Sequence, residues 1–296
     1  MLGSGVPLIV ASAFGFATLG IFGKLAFEQG WDSQTTLFWR FLAAALLLWG
    51  VIALRGWPEG GVSATGGTQV ARRAAWRAVW VGLGLGAVGM TVQVLLYFAA
   101  LERLSAGLTA LLLYTYPIHV VLLAWWLERR PPSAAALTAM ALAFLGIVLA
   151  SDLSGQVSLL GVVIALLTAM WYAIYLTVSS RVARHSDPLL TSASLFVGVV
   201  ISIGILLALR GGLDIPQGLQ GWGIVLGVAS VATVMPIVFL YAGLARLSAT
   251  QVSLLSTLEP VFVVAMGFLI LGERLSPLQI LGAVLVLFAV VLLQRK

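Results

Sequence analysis

No charged residue stands between Arg103 and Glu128, between Arg130 and Asp152, between Asp152 and Arg181, or between Asp187 and Arg210. The same holds between Asp214 and Arg246 and between Arg274 and Arg295. These intervals are filled mainly with Leu, Val, Ala, Ile and Gly, and an α-helix of such length crosses about 30 Å of hydrocarbon. The 296 residues are 61% hydrophobic and only 9% charged, with a mean hydropathy of +1.11. Soluble domains are about half apolar and about a quarter charged. Most of this surface must therefore face lipid, where each backbone polar group needs an internal partner and helices supply it.

Runs bounded by charge, Gly or Pro predict an all-α polytopic membrane protein with ten transmembrane helices, at 7–27, 34–54, 78–100, 105–127, 134–151, 158–180, 189–209, 221–243, 248–271 and 276–294. The links are short except for 55–77, a Gly/Ser/Thr-rich stretch expected to be a mobile cytoplasmic loop. The N-terminal run lacks a basic leader and continues for a full span from Pro7, unlike a cleavable signal. Orientation follows from basic residues. One set of loops holds Arg55, Arg72, Arg73, Arg77, Arg129, Arg130, Arg181, Arg184, Arg246, Arg295 and Lys296, and the other only Lys24, Arg103, Arg210 and Arg274. The positive-inside rule then puts both termini in the cytoplasm of a bacterial inner-membrane protein.

The chain also repeats itself. A register shift of 143 residues pairs Ala99/Ala242, Arg103/Arg246, Leu104/Leu247, Ser105/Ser248, Ala106/Ala249, Leu111/Leu254, Leu112/Leu255 and Pro117/Pro260. Glu128-Arg129 and Glu273-Arg274 follow, each with a proline just beyond, at Pro132 and Pro277. Two five-helix repeats, 1–152 and 153–296, are expected. An odd number of spans per copy turns the second over, and inverted repeats of this kind build carriers with a central site and alternating access.

Other classes fit poorly. A net charge of +6 spread over loops is a topology signal rather than a nucleic-acid face. There is no cysteine and only two histidines, so neither a thiolate nor an imidazole metal site is expected. No GK[ST] phosphate loop, G-x-S-x-G elbow or HExxH motif is present. Gly84-x-Gly86-x-x-Gly89 matches the dinucleotide fingerprint, but it lies in a spanning run, where small residues admit close helix contact.

Phe38-Trp39-Arg40-Phe41-Leu42, the Leu-Ser-Ala triplets at 104–106 and 247–249, and Leu258-Glu259-Pro260-Val261 leading to Gly272-Glu273-Arg274 and Pro277 carry a resemblance. The chain resembles the EamA-type permeases of the drug/metabolite transporter superfamily over its whole length. The resemblance implies an inner-membrane carrier, usually an exporter, of amino acids, related metabolites or drug-like cations. It also implies a cavity surrounded by helices 1–4 and 6–9. Tyr114-Thr115-Tyr116-Pro117 is similar to the Tyr-x-Trp-Pro stretch of the aromatic amino acid exporter branch without being identical.

The leading expectation is a secondary transporter exporting small amino-acid-like metabolites, with a proton as a candidate coupling ion. An exporter of cationic drug-like compounds is the alternative, and a channel, scaffold or intramembrane enzyme ranks behind both. Expected partners are a small-molecule substrate and the lipid bilayer, with no nucleic acid, no cofactor and no metal. Either a monomer or a homodimer fits.

Candidate substrate-binding residues are Glu259, Arg40, Tyr114, Tyr116, Trp171, Tyr175, Gln93 and His119. Glu259 lies about 16 Å into its helix, where an acid is costly unless it faces a cavity or a partner. Its bland alternative is an anchor beside the break at Pro260. Arg40 is either a counter-ion for a substrate carboxylate or a structural partner. Trp171 and Tyr175, four residues apart, share a helix face that either packs or cradles substrate, whereas Trp31, Trp76 and Trp222 suit the interfacial belt. His119 is a candidate for proton coupling by residue type, although lone histidines in apolar helices are commonly hydrogen-bonded core residues. Tyr97, Tyr241, Ser253, Ser256 and Thr257 are weaker hydrogen-bonding candidates. Pro117, Pro260 and Pro236 each free a backbone carbonyl and form either hinges or static bends. Glu259, Tyr116 and Trp171 are expected to border one cavity.

Overall fold

A computed structural model of the chain describes residues 5–31, 33–56, 68–104, 106–129, 131–150, 158–271 and 276–294. Every regular element among them is helical. In chain order these are α1 (Val6–Ala17), α2 (Leu19–Glu28), α3 (Ser33–Arg55), α4 (Thr68–Gly84), a π-helix π1 (Leu85–Met90), α5 (Thr91–Leu101), α6 (Ala106–Leu113), α7 (Tyr116–Glu128), α8 (Ala134–Ala150) and α9 (Leu159–Ala183). The remainder are α10 (Pro188–Arg210), α11 (Gly218–Ala229), a second π-helix π2 (Ser230–Val234), α12 (Met235–Leu244), α13 (Ala249–Ser256), α14 (Glu259–Leu271) and α15 (Pro277–Gln294).

Among the described residues seven stretches are long and apolar enough to cross a membrane: Gln34–Arg55, Ala75–Leu101, Leu108–Leu127, Leu159–Ala183, Pro188–Arg210, Gly218–Leu244 and Ala249–Ile270. Shorter apolar helices lie at Val6–Phe22, Ala134–Leu149 and Pro277–Ala289. The polarity is the reverse of a soluble protein's. Leu46, Trp80, Leu269, Leu281 and Phe288 are exposed, while Ser179, Thr191, Ser192, Ser194, Thr233 and Ser253 are fully buried. The chain is a multi-pass membrane protein.

One difference from the expected layout is the start of α4. It begins at Thr68, inside the stretch read as a loop, because Thr68–Arg77 is rich in Ala, Gln and Arg, which favour helix. Residues 57–67 of that stretch, with Glu273 and Arg274, lie outside the described residues.

The helices pack as two compact units, residues 3–91 with 179–246 and residues 92–178 with 247–296. Each unit draws elements from both halves of the sequence. In the first unit α10 is central and packs against α3, α4, π1 and α12. Three glycines make that approach possible: a methyl group at Gly82 would overlap the Thr191 carbonyl, one at Gly86 that of Leu195, and one at Gly198 that of Leu83. The expected close-contact role of the fingerprint-like glycines is thus realised at Gly86. Trp31 is buried with Ala26, Ile224 and Val225, so its ring packs on α11. In the second unit α8 and α15 form the most extensive pairing, with Ala139, Ala143 and Ala289 at its core.

Candidate substrate site

The repeat seen in the letters returns in the backbone. α6 and α13 each span eight residues, α7 and α14 each span thirteen, and all four boundaries coincide under the 143-residue shift. Both rods break just before a proline that sits second in the new segment, Pro117 and Pro260. The break has one chemical device in both copies. Thr115 Oγ1 donates to the Leu112 carbonyl at 2.7 Å, and Thr257 Oγ1 donates to the Leu254 carbonyl at 2.6 Å. Each hydroxyl takes up a carbonyl near the proline break, which a regular ladder would satisfy through backbone N–H groups. At the preceding helix ends, Arg103 Nη1 donates to the Ala99 carbonyl at 2.6 Å and Arg246 Nη1 to that of Ala242 at 2.8 Å.

Tyr116 and Glu259 therefore occupy the same structural position, the first residue of the second segment. Glu259 stands in the first turn of α14, at the positive end of the helix dipole. Its carboxylate accepts a hydrogen bond from Tyr114 and lies close enough to Tyr97 and Tyr116 for electrostatic contact. Tyr116 is buried and donates its hydroxyl to the Ser253 carbonyl at 3.2 Å. That carbonyl is free of a regular backbone partner because Thr257 N–H turns back to Leu254. The Tyr116 ring meets Tyr172 edge-on at 4.7 Å between centroids, and Tyr172 stacks on Tyr175 at 6.0 Å. Five of the six tyrosines thus lie in one unit with Glu259.

The other candidates are placed as follows. Gln93 is buried on α5 in the same unit, and its Oε1 has no hydrogen-bond partner among the described residues. His119 keeps its Nδ1 at 3.1 Å from the Thr115 carbonyl of its own helix. Trp171 is half-buried beside Tyr172. The ring stack to Tyr116 runs through Tyr172, which lies between Trp171 and Tyr175 in the aromatic stretch of α9.

Arg40 belongs to the first unit. Its Nε donates to Thr233 Oγ1 at 2.6 Å and its Nη2 reaches the Ala232 carbonyl at 3.5 Å. Pro236, second residue of α12, has no N–H for the carbonyl four residues back, which is that of Ala232. Arg40 thus donates where the proline cannot. Thr233 Oγ1 donates in turn to the Val228 carbonyl at 2.7 Å, five residues earlier, and Thr91 does the same to Gly86 at 2.9 Å. Each π-helix has a threonine making this five-residue reach. No cluster of three or more His, Asp or Glu able to hold a metal occurs among the described residues.

An all-helical, multi-pass membrane protein with one acid gathered among tyrosines at a pair of repeated helix breaks has the build of a solute transporter. The chain belongs to the EamA-like transporter family, whose profile matches residues 3–152 and again 159–295. It is 26% identical to the uncharacterized transporter YcbK of Bacillus subtilis (strain 168) over 97% of this chain and 91% of that protein. It is 28% identical to the threonine/homoserine exporter RhtA of Escherichia coli (strain K12) over 69% of this chain and 66% of that one. A solved crystal structure, 17% identical, superposes with a TM-score of 0.80 over 98% of this chain and 96% of its own, which establishes likeness of fold.

Proposed function

We propose that this membrane transporter is a secondary carrier that exports small amine-bearing metabolites of amino-acid type across the bacterial inner membrane. In this reading ten spans form two inverted five-helix halves, with both termini in the cytoplasm. The halves exchange conformation to give alternating access, and protons returning through Glu259 drive export. The observation that carries the proposal is the Glu259 carboxylate, held by Tyr114 at the opening of α14 and surrounded by tyrosines. A carboxylate binds an ammonium group, and tyrosine faces attract the same cation. The relative named as a threonine/homoserine exporter supports the amino-acid class.

A second reading, export of cationic drug-like compounds, is favoured by one observation. Arg40, the deep base a zwitterion's carboxylate would want, is already committed to Thr233 and Ala232. Proteoliposome counterflow tests both readings, with labelled threonine, homoserine and aromatic amino acids against quaternary amines, with and without a pH gradient. Saturable counterflow of amino acids that is lost in Glu259→Gln supports the first reading. Counterflow of quaternary amines alone selects the second. A linear, unsaturable flux would mean a channel and defeat both.

A further inference from the structure

The chain leaves α9 and enters α10 through Arg184-His185-Ser186-Asp187, and the end of α12 lies beside this turn. Together they border a half-open cavity of about 490 Å³, lined by Ala183, Arg184, His185, Pro188, Ala245 and Arg246 among others. Its charge is one-signed. Arg246 spends one N–H on the Ala242 carbonyl, and its remaining donors have no carboxylate partner among the described residues. Arg184 is exposed and likewise has no ion pair among them. His185 directs Nδ1 to the Arg181 carbonyl at 3.2 Å, which leaves Nε2 uncommitted. Asp187, the acid nearest in sequence, does not line the cavity. Its carboxylate accepts the Leu190 N–H at 2.9 Å as the cap of α10.

The repeat sharpens the point. Arg103, the counterpart of Arg246, is neutralised by its neighbour Glu102 at 3.2 Å. At the position equivalent to Glu102 the second copy has Ala245, which lines the cavity. The second copy thus has the arginine without the acid, next to another arginine and a histidine. The guanidinium forks fit phosphate oxygens, and the site lies at the ends of membrane helices, the level at which phospholipid headgroups sit.

We infer that the cavity between the α9–α10 turn and the end of α12 binds a phosphate group, through Arg184 and Arg246. The chemistry is shared by the headgroup of an anionic phospholipid and by free phosphate, and the measurement separates them. The full-length protein in detergent is incubated with phosphatidylglycerol, phosphatidylcholine or inorganic phosphate, then read by native mass spectrometry and by thermal unfolding. Two arginines are together worth about thirtyfold in affinity for an anionic lipid. The expected result is retention of phosphatidylglycerol over phosphatidylcholine, with Arg184→Gln/Arg246→Gln losing that preference by about thirtyfold. Arg103→Gln, in the other copy, should keep it. Protection by inorganic phosphate that the double variant lacks would support the same site with a soluble ligand. A double variant that folds and retains phosphatidylglycerol as the wild type does overturns the inference. So does a wild type that shows no preference and no protection. If the double variant fails to fold, the single variants are each expected to lose part of the preference, and unchanged preference in both is equally fatal.

Discussion

The Tyr116 hydroxyl donates to the carbonyl oxygen of Ser253 at 3.2 Å, so a side chain at the first copy's helix break satisfies the backbone of the second copy's break. Tyr114, two residues earlier, bonds to Glu259 on the far side of that same break. The two breaks are thus coupled through tyrosines of one copy reaching residues of the other. Removing the Tyr116 hydroxyl strands a buried acceptor, which costs about 1–3 kcal/mol. Tyr116→Phe, which keeps the ring contact to Tyr172, is expected to destabilise the protein by that amount. Tyr116→Ala should cost more, because aromatic packing goes as well. Thermal or denaturant unfolding in detergent checks the order. Equal stability of Tyr116→Phe and wild type would show that water satisfies the Ser253 carbonyl.

Glu259 is the acid of the tyrosine cluster, and its contribution should lie in binding and coupling rather than in folding. A charged hydrogen bond to an ammonium group is worth about ten- to hundredfold in affinity. Glu259→Gln is expected to weaken the apparent affinity for amine-bearing solutes by that factor and to abolish the response to a pH gradient. Tyr114→Phe should weaken affinity less and keep the pH response. Half-saturation concentrations in counterflow, measured at two external pH values, decide this. A fully pH-coupled Glu259→Gln protein would remove the carboxylate from the mechanism.

Much of this site could be read before any coordinates, because its signals are rare letters in an apolar background. A lone acid in a span, two equivalent prolines and a 143-residue register place Tyr116 and Glu259 in matched positions. The π-helices could not be read so. They add a residue to a helical turn, and only threonines at a five-residue reach, Thr91 and Thr233, mark them. The partner of Arg40 was equally hidden. Its charge predicts that some partner exists, but not that Pro236 on a distant segment frees the carbonyl it takes.

The three glycines of the fingerprint-like stretch offer a matched test of why they are there. A methyl group at Gly86 would overlap the Leu195 backbone, whereas one at Gly84 meets nothing within 4 Å. Backbone cannot yield as a flexible side chain can, so Gly86→Ala should destabilise by about 1–3 kcal/mol. Gly84→Ala should be neutral or gain about 0.5–1 kcal/mol from helix propensity. Unfolding midpoints of the two variants in one detergent check this. Equal tolerance at both positions would mean that α10 does not approach as closely as described.

Arg40 separates the two substrate readings. If its work is to donate to Thr233 and to the carbonyl that Pro236 leaves unpaired, Arg40→Lys should destabilise the protein, because an ammonium cannot reproduce the guanidinium fork. The expected cost is about 1.5–3 kcal/mol, the range for hydrogen bonds to charged groups. The affinity of the folded fraction for solutes should then change little, and equally for zwitterions and for amines. A carboxylate-binding arginine predicts the opposite split. Zwitterion affinity would fall about tenfold or more while amines without a carboxylate kept theirs. Measuring stability and both affinities on the same preparation distinguishes the two, and selective loss of zwitterion binding would return Arg40 to the substrate site.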